Sequence, residues 1–110
     1  MIKVRETPTA IITFNLQGVI TSWDKGAEQI YGYTEGEALQ KYWLLLIPQE
    51  KYNEISDMLQ VVKTGKSIKQ QETIRLRKDG TLIPVRITIY PFRDEKQNIT
   101  GITAITTKTE

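Results

Sequence analysis

Trp23-Asp24-Lys25-Gly26-Ala27-Glu28-Gln29-Ile30-Tyr31-Gly32-Tyr33-Thr34 is where the chain turns from strands to helices. Asp24 stands at an N-cap position, where its carboxylate can accept from the free amides of the following turn. Ala27, Ile30 and Tyr31 then recur at helical spacing, and Gly32 can end the helix with a positive φ. Thr34-Glu35-Gly36-Glu37 has the form of a capping box and predicts a second short helix. Upstream, Ala10–Phe14 and Val19–Trp23 are β-branched and aromatic runs separated by Asn15-Leu16-Gln17-Gly18, which suits a type I turn between two strands.

Downstream, Lys41–Ile47 is too short and too uniformly apolar to assign by period, and a single helical turn that buries most of its side chains is expected. Pro48 can open the next helix. Between Gln49 and Lys63, Tyr52, Ile55, Leu59 and Val62 form an amphipathic stripe thickened by Met58, and Thr64-Gly65 stops it. Lys78-Asp79-Gly80-Thr81 reads as a two-residue type I′ turn. Counting outward, Leu76 faces Ile83, Ile74 faces Val85, Glu72 faces Ile87, Gln70 faces Ile89 and Ile68 faces Pro91, all on one buried face. Pro84 then lies opposite Arg75 in a non-hydrogen-bonded pair, where its missing amide is harmless. That register puts Glu72 and Gln70 among apolar residues, so they either reach solvent at an open edge or bond within a polar pocket. A last strand is expected over 99–107, after a polar loop at 94–98.

Two strands, helices, then three strands predict an α+β fold: a five-stranded antiparallel sheet with helices on one face. The length of 110 residues allows one domain. A net charge of +2 with scattered basic residues gives no sign of a nucleic-acid partner. Cysteine and histidine are both absent, which removes thiol chemistry, the usual general base and the commonest metal and haem ligand. No glycine-rich phosphate loop is present, and the paired carboxylates fall in polar turns, so no catalytic residues, and no enzyme, are expected. No apolar run is long enough to span a membrane, and nothing resembles a signal peptide.

The series of strand, Asn-x-x-Gly turn, strand ending in Trp23-Asp24, then Ala27-Glu28-Gln29-Ile30-Tyr31-Gly32-Tyr33-Thr34 resembles the PAS sensory domain. The resemblance divides the chain into a lead-in segment at 1–8 and a PAS domain over 9–110. It implies the strand order 2-1-5-4-3 and a sensory or regulatory input module of a signal transduction protein, such as a sensor histidine kinase. The alternative is a dimerisation module with a filled core and no ligand. It further implies a homodimer through the outer sheet face or flanking segments, contact with other domains of the same protein, and no direct membrane contact. A cytoplasmic location is expected, with any membrane anchor elsewhere in the parent protein.

A ligand cavity would have walls of Ile12, Phe14, Trp43, Leu46, Ile55 and Leu59, with Glu72, Ile74, Leu76, Val85, Ile87 and Ile89 along its floor. A small, mostly closed interior is expected. The family's cofactors are tested residue by residue. The flavin-binding light-oxygen-voltage branch carries Asn-Cys-Arg-Phe-Leu-Gln after the two short helices. Here Tyr42-Trp43-Leu44-Leu45-Leu46-Ile47 stands there, with Trp43 at the cysteine. Haem-binding relatives use a histidine where Ile55 stands, and the photoactive yellow protein branch needs a cysteine. No cofactor is therefore expected, and any non-covalent small ligand is of unknown identity. Many PAS domains leave the last strand through Asp-Ile-Thr, but Lys108 occupies the aspartate position.

Overall fold

A computed structural model describes residues 8–109; most of the lead-in segment lies outside the described residues. Strands β1 (Thr9–Asn15) and β2 (Ile20–Trp23) form the first hairpin. Helices α1 (Lys25–Tyr31) and α2 (Glu35–Ala38) follow, then 3-10 turns at Trp43–Leu46 and Gln49–Lys51 and helix α3 (Tyr52–Lys63). Strands β3 (Ile68–Leu76), β4 (Leu82–Arg93) and β5 (Ile99–Lys108) complete the chain. All pairings are antiparallel, in the order β2-β1-β5-β4-β3.

The local signals around Trp23–Thr34 act as expected. Asp24 Oδ1 accepts from the Ala27 amide at 2.8 Å and also from Ile11 N at 3.1 Å, tying α1 to β1. Gly32 closes α1 with φ of 86°. The capping box of α2 is complete, with Thr34 and Glu37 each bonded to the other's amide. Helix α3 begins later than Pro48, because Gln49–Lys51 winds as a 3-10 turn. Its buried row is Ile55, Met58 and Val62, while Leu59 is half-buried and Tyr52 exposed. Of the run Trp43–Ile47, Trp43, Leu46 and Ile47 are buried, whereas Leu44 and Leu45 face outward.

The β3–β4 hairpin departs from the expected register by one residue. Arg77 N donates to Thr81 O and Gly80 N donates to Arg77 O, so Lys78, Asp79 and Gly80 all belong to the loop. Only Gly80, at φ of 88°, has positive φ among them. This is a type I turn closed by a left-handed glycine, the three-residue hairpin loop, and not a type I′ turn. The extra residue pairs Leu76 with Leu82, Arg75 with Ile83, Ile74 with Pro84, Thr73 with Val85 and Glu72 with Arg86. Since side chains alternate, a one-residue change exchanges the faces of β3. Thr73 and Arg75 are buried, and Ile74, Leu76 and Glu72 lie on the outer face. Nearer its start, β3 carries a bulge between Ile68 and Gln71, with Gln70 at φ of 55°. The bulge returns Ile68, opposite Ile89, to the core side.

The turn is anchored from both ends. Asp79 Oδ1 accepts from Thr81 N at 3.0 Å and Thr81 Oγ1 at 2.6 Å. Lys78 N donates to Tyr31 O, and Lys78 Nζ pairs with Glu37. The hydrogen bonds from Thr81 hold the Asp79 carboxyl below its ordinary pKa, and the bond from Lys78 does the same for Glu37. A depressed carboxyl contributes stability above its unfolded pKa and loses it as pH falls through the folded value. The melting temperature should therefore fall on acidification below about pH 4. In Asp79→Asn, which keeps the acceptor but cannot titrate, that fall should be smaller; an identical acid profile would show that the turn does not hold the carboxylate.

Candidate ligand site

The inner sheet face and the helices enclose a core of Ile12, Phe14, Ile20, Trp23, Ile30, Leu46, Ile55, Val85, Ile87, Ile89 and Ile102, all nearly inaccessible. Trp43 is central to it. Its ring stacks on Phe14 with centroids 4.2 Å apart and planes inclined by 19°. Backbone bonds set its position: Trp43 N donates to Gly18 O, and Ile20 pairs with Gln40 and Lys41. On the solvent side of Trp43 lies a cleft of about 140 Å³ under α3. Leu16, Gln17, Gly18, Tyr42, Leu44, Ile55 and Leu59 form its remaining walls. That volume matches a benzene-sized guest and falls short of the space a drug-sized ligand or flavin ring needs.

The residues expected to line a cavity separate into three groups. Trp43, Ile55 and Leu59 meet at this cleft. Ile12, Phe14, Leu46, Val85, Ile87 and Ile89 are packed in the core and do not border it. Glu72, Ile74 and Leu76 are not on the floor at all, because the three-residue turn carries them to the outer face. Glu72 there pairs with Arg86 at 2.9 Å, with both side chains well exposed, a contact worth about 0.2–1 kcal/mol. Its exposure, one of the alternatives left open above, comes from the face it occupies.

In their place the register brings Arg75, which a two-residue turn would put on the outer face. Its exposure is 0%, the lowest possible for a cation on a strand. The guanidinium carbon lies 6.0 Å from the Trp43 ring centroid, within cation–π range. Nη1 donates to Ile74 O at 3.0 Å and, at 3.4 Å, to Thr73 Oγ1. Thr73 Oγ1 in turn donates to Glu54 Oε1 on α3 at 2.7 Å, and Arg75 Nη1 stands 3.6 Å from the same oxygen. Burial lowers the guanidinium's pKa, against the opposing influence of Tyr31 and Glu54. Nε and Nη2 have no partner among the described residues, nor has the buried Thr106 Oγ1. Tyr31 is 1% exposed, and burial raises its hydroxyl's pKa despite nearby Arg75 and Thr106. The signal that could have located this cluster was a bulged, three-residue-turn register for β3.

A five-stranded antiparallel sheet whose one face is roofed by helices over a small interior defines an α+β domain of the PAS type. The PAS domain family matches residues 8–107, and the chain belongs to that family. No curated protein matches it significantly. Among solved structures, a PAS domain of a Colwellia psychrerythraea protein is similar at 25% identity and a TM-score of 0.85, covering 92% of this chain and 86% of that one. The Drosophila melanogaster Cycle PAS-B domain with bound ethylene glycol shares 17% identity at a TM-score of 0.79, covering 91% and 99%. A blue-light activated histidine kinase of Erythrobacter litoralis shares 11% at 0.81, covering 94% of this chain and 33% of its own. A PAS domain is a sensory module and is not itself catalytic. Among the described residues no helix is long and apolar enough to cross a membrane.

Proposed function

We propose that this PAS domain is the input module of a signalling protein, most simply a sensor histidine kinase, and that it responds to a small ligand beside Trp43. The observation that carries the reading is the cleft between Trp43 and the inward side of α3, at Ile55 and Leu59. A ligand there touches α3 and the β1–β2 turn together, so it favours whichever packing of the two gives it the better contacts. Support for a kinase parent comes from the likeness in fold to the Erythrobacter litoralis enzyme. The module takes no flavin or haem: the Phe14–Trp43 stack occupies the interior, and Ile55 offers no ligating atom. Homodimerisation through the outer sheet face is supported by exposed Ile11, Leu82, Tyr90 and Phe92.

Native mass spectrometry of freshly purified protein, paired with an absorbance spectrum, tests this. The expected result is a small dissociable mass and no visible absorbance band. Leu59→Trp, at the rim of the cleft, should remain within about 1 kcal/mol of the parent, since a half-exposed site is not overpacked, and should lose that mass. A sequence-based expectation of a closed interior gives the opposite, clear destabilisation. A protein that carries no ligand under any condition, with Leu59→Trp strongly destabilised, would favour the filled-core dimerisation module.

A further inference from the structure

The polar cluster behind Trp43 holds buried donors that have no acceptor among the described residues. Arg75 uses Nη1 for Ile74 O and Thr73 Oγ1, which leaves Nε and Nη2. Those two nitrogens share one edge of the guanidinium, the edge whose parallel N–H groups match the two oxygens of a carboxylate. Thr106 Oγ1 is likewise buried and close to the Tyr31 hydroxyl, with no partner of good geometry among the described residues; where these two hydroxyls bond each other, one O–H remains free to donate. The anion that does approach Arg75, Glu54, lies on the other side at Nη1, 3.6 Å away and partly in water. Single waters could accept these bonds, but with Glu54 at Nη1 the Nε–Nη2 edge of the buried charge would then face only neutral partners.

We propose that the interior of this domain binds a small carboxylate, gripped by the Nε–Nη2 edge of Arg75 and completed by the hydroxyls of Thr106 and Tyr31. The proposal goes beyond the cleft reading: it adds a site on the other side of Trp43, which Arg75 faces, and names the chemical class of its ligand. It also supplies a link to α3. A bound carboxylate places a second anion on the guanidinium that Glu54 already approaches, and the two repel. Among the described residues Glu54 makes the ion pair from α3 to β3, so binding loosens the helix from the sheet at that point.

Acetate and propionate are the probes, titrated into the intact chain at neutral pH and constant ionic strength, with chloride as the balancing anion. Saturable changes in the Arg75 Nε–H and Thr106 amide resonances are expected, together with a rise in melting temperature that chloride does not produce. Arg75→Lys keeps a positive charge but loses the edge, and should weaken binding by tenfold or more. Thr106→Val, nearly the same shape without the hydroxyl, should weaken it several-fold; this variant carries the test if Arg75→Lys does not fold. Glu54→Gln removes the competing anion and should tighten binding, which a purely structural role for Arg75 would not produce. Absence of saturation overturns the proposal, as does unchanged affinity in Thr106→Val and Glu54→Gln. So does a crystal grown in propionate with only waters on Nε and Nη2. A different, uncharged ligand found by native mass spectrometry and retained by Arg75→Lys would overturn the carboxylate while leaving the sensory reading intact.

Discussion

Gly26→Ala is expected to lower the stability of this domain by at least about 3 kcal/mol, at the upper end of overpacking effects. Gly26 lies in the first turn of α1, and a methyl group there would stand 1.8 Å from the carbonyl oxygen of Thr9 and 2.6 Å from its carbonyl carbon. Both obstacles are backbone, so no rotamer change relieves the clash. Either α1 lifts from β1, breaking the bond from Ile11 N to Asp24, or the first strand shifts against β5. Gly36→Ala in α2 is the control: nothing lies within 4 Å of the added methyl. Helix propensity alone should then stabilise the variant, by up to about 1 kcal/mol. Chemical denaturation of the two variants checks the pair, and equal stabilities would mean that α1 does not sit on β1 as described.

Trp43→Ala should cost about 3–5 kcal/mol, the range for removing a buried aromatic side chain. Trp43 is 2% exposed, stacks on Phe14, faces the Arg75 guanidinium and walls the cleft. The loss should exceed what area alone gives, since stacked pairs add about 0.5–1.5 kcal/mol. Denaturant titration of Trp43→Ala and Trp43→Phe measures it. Phe should recover a large part, because a ring can still meet Phe14. Near-parental stability for Trp43→Ala would place the tryptophan at the surface.

Most of the fold was legible because its signals are local. Asp24, Gly32 and the Thr34–Glu37 box act within a turn of themselves, and each lies where its chemistry requires. The apolar alternation of β4 at Ile83, Val85, Ile87 and Ile89 was equally plain. The site was less legible, and one residue in one turn explains why. Asp79-Gly80 suits a type I′ turn, but it also suits the last two positions of a type I turn closed by glycine. Pro84 does not discriminate, because the alternation of hydrogen bonds outward from Arg77–Thr81 leaves it in a non-hydrogen-bonded pair in either register. Hydrophobicity points the wrong way: Ile74 and Leu76 outrank Thr73 and Arg75, yet the latter pair is inside. The side-chain bonds of Asp79 to Thr81 and the docking of Lys78 N on Tyr31 O hold the longer loop. The first hairpin makes the same kind of turn at Asn15–Gly18, so the chain itself offered the precedent.

The central claim is that Arg75 faces the interior, and the register of β3 on β4 decides it. Residues in non-hydrogen-bonded antiparallel pairs bring their Cα atoms to about 4.5 Å, close enough for strong nuclear Overhauser effects between their α protons. The described pairing predicts such cross-peaks between Leu76 and Leu82 and between Ile74 and Pro84. Cross-peaks joining Arg77 to Leu82 and Arg75 to Pro84 instead would place Arg75 on the outer face and contradict the account.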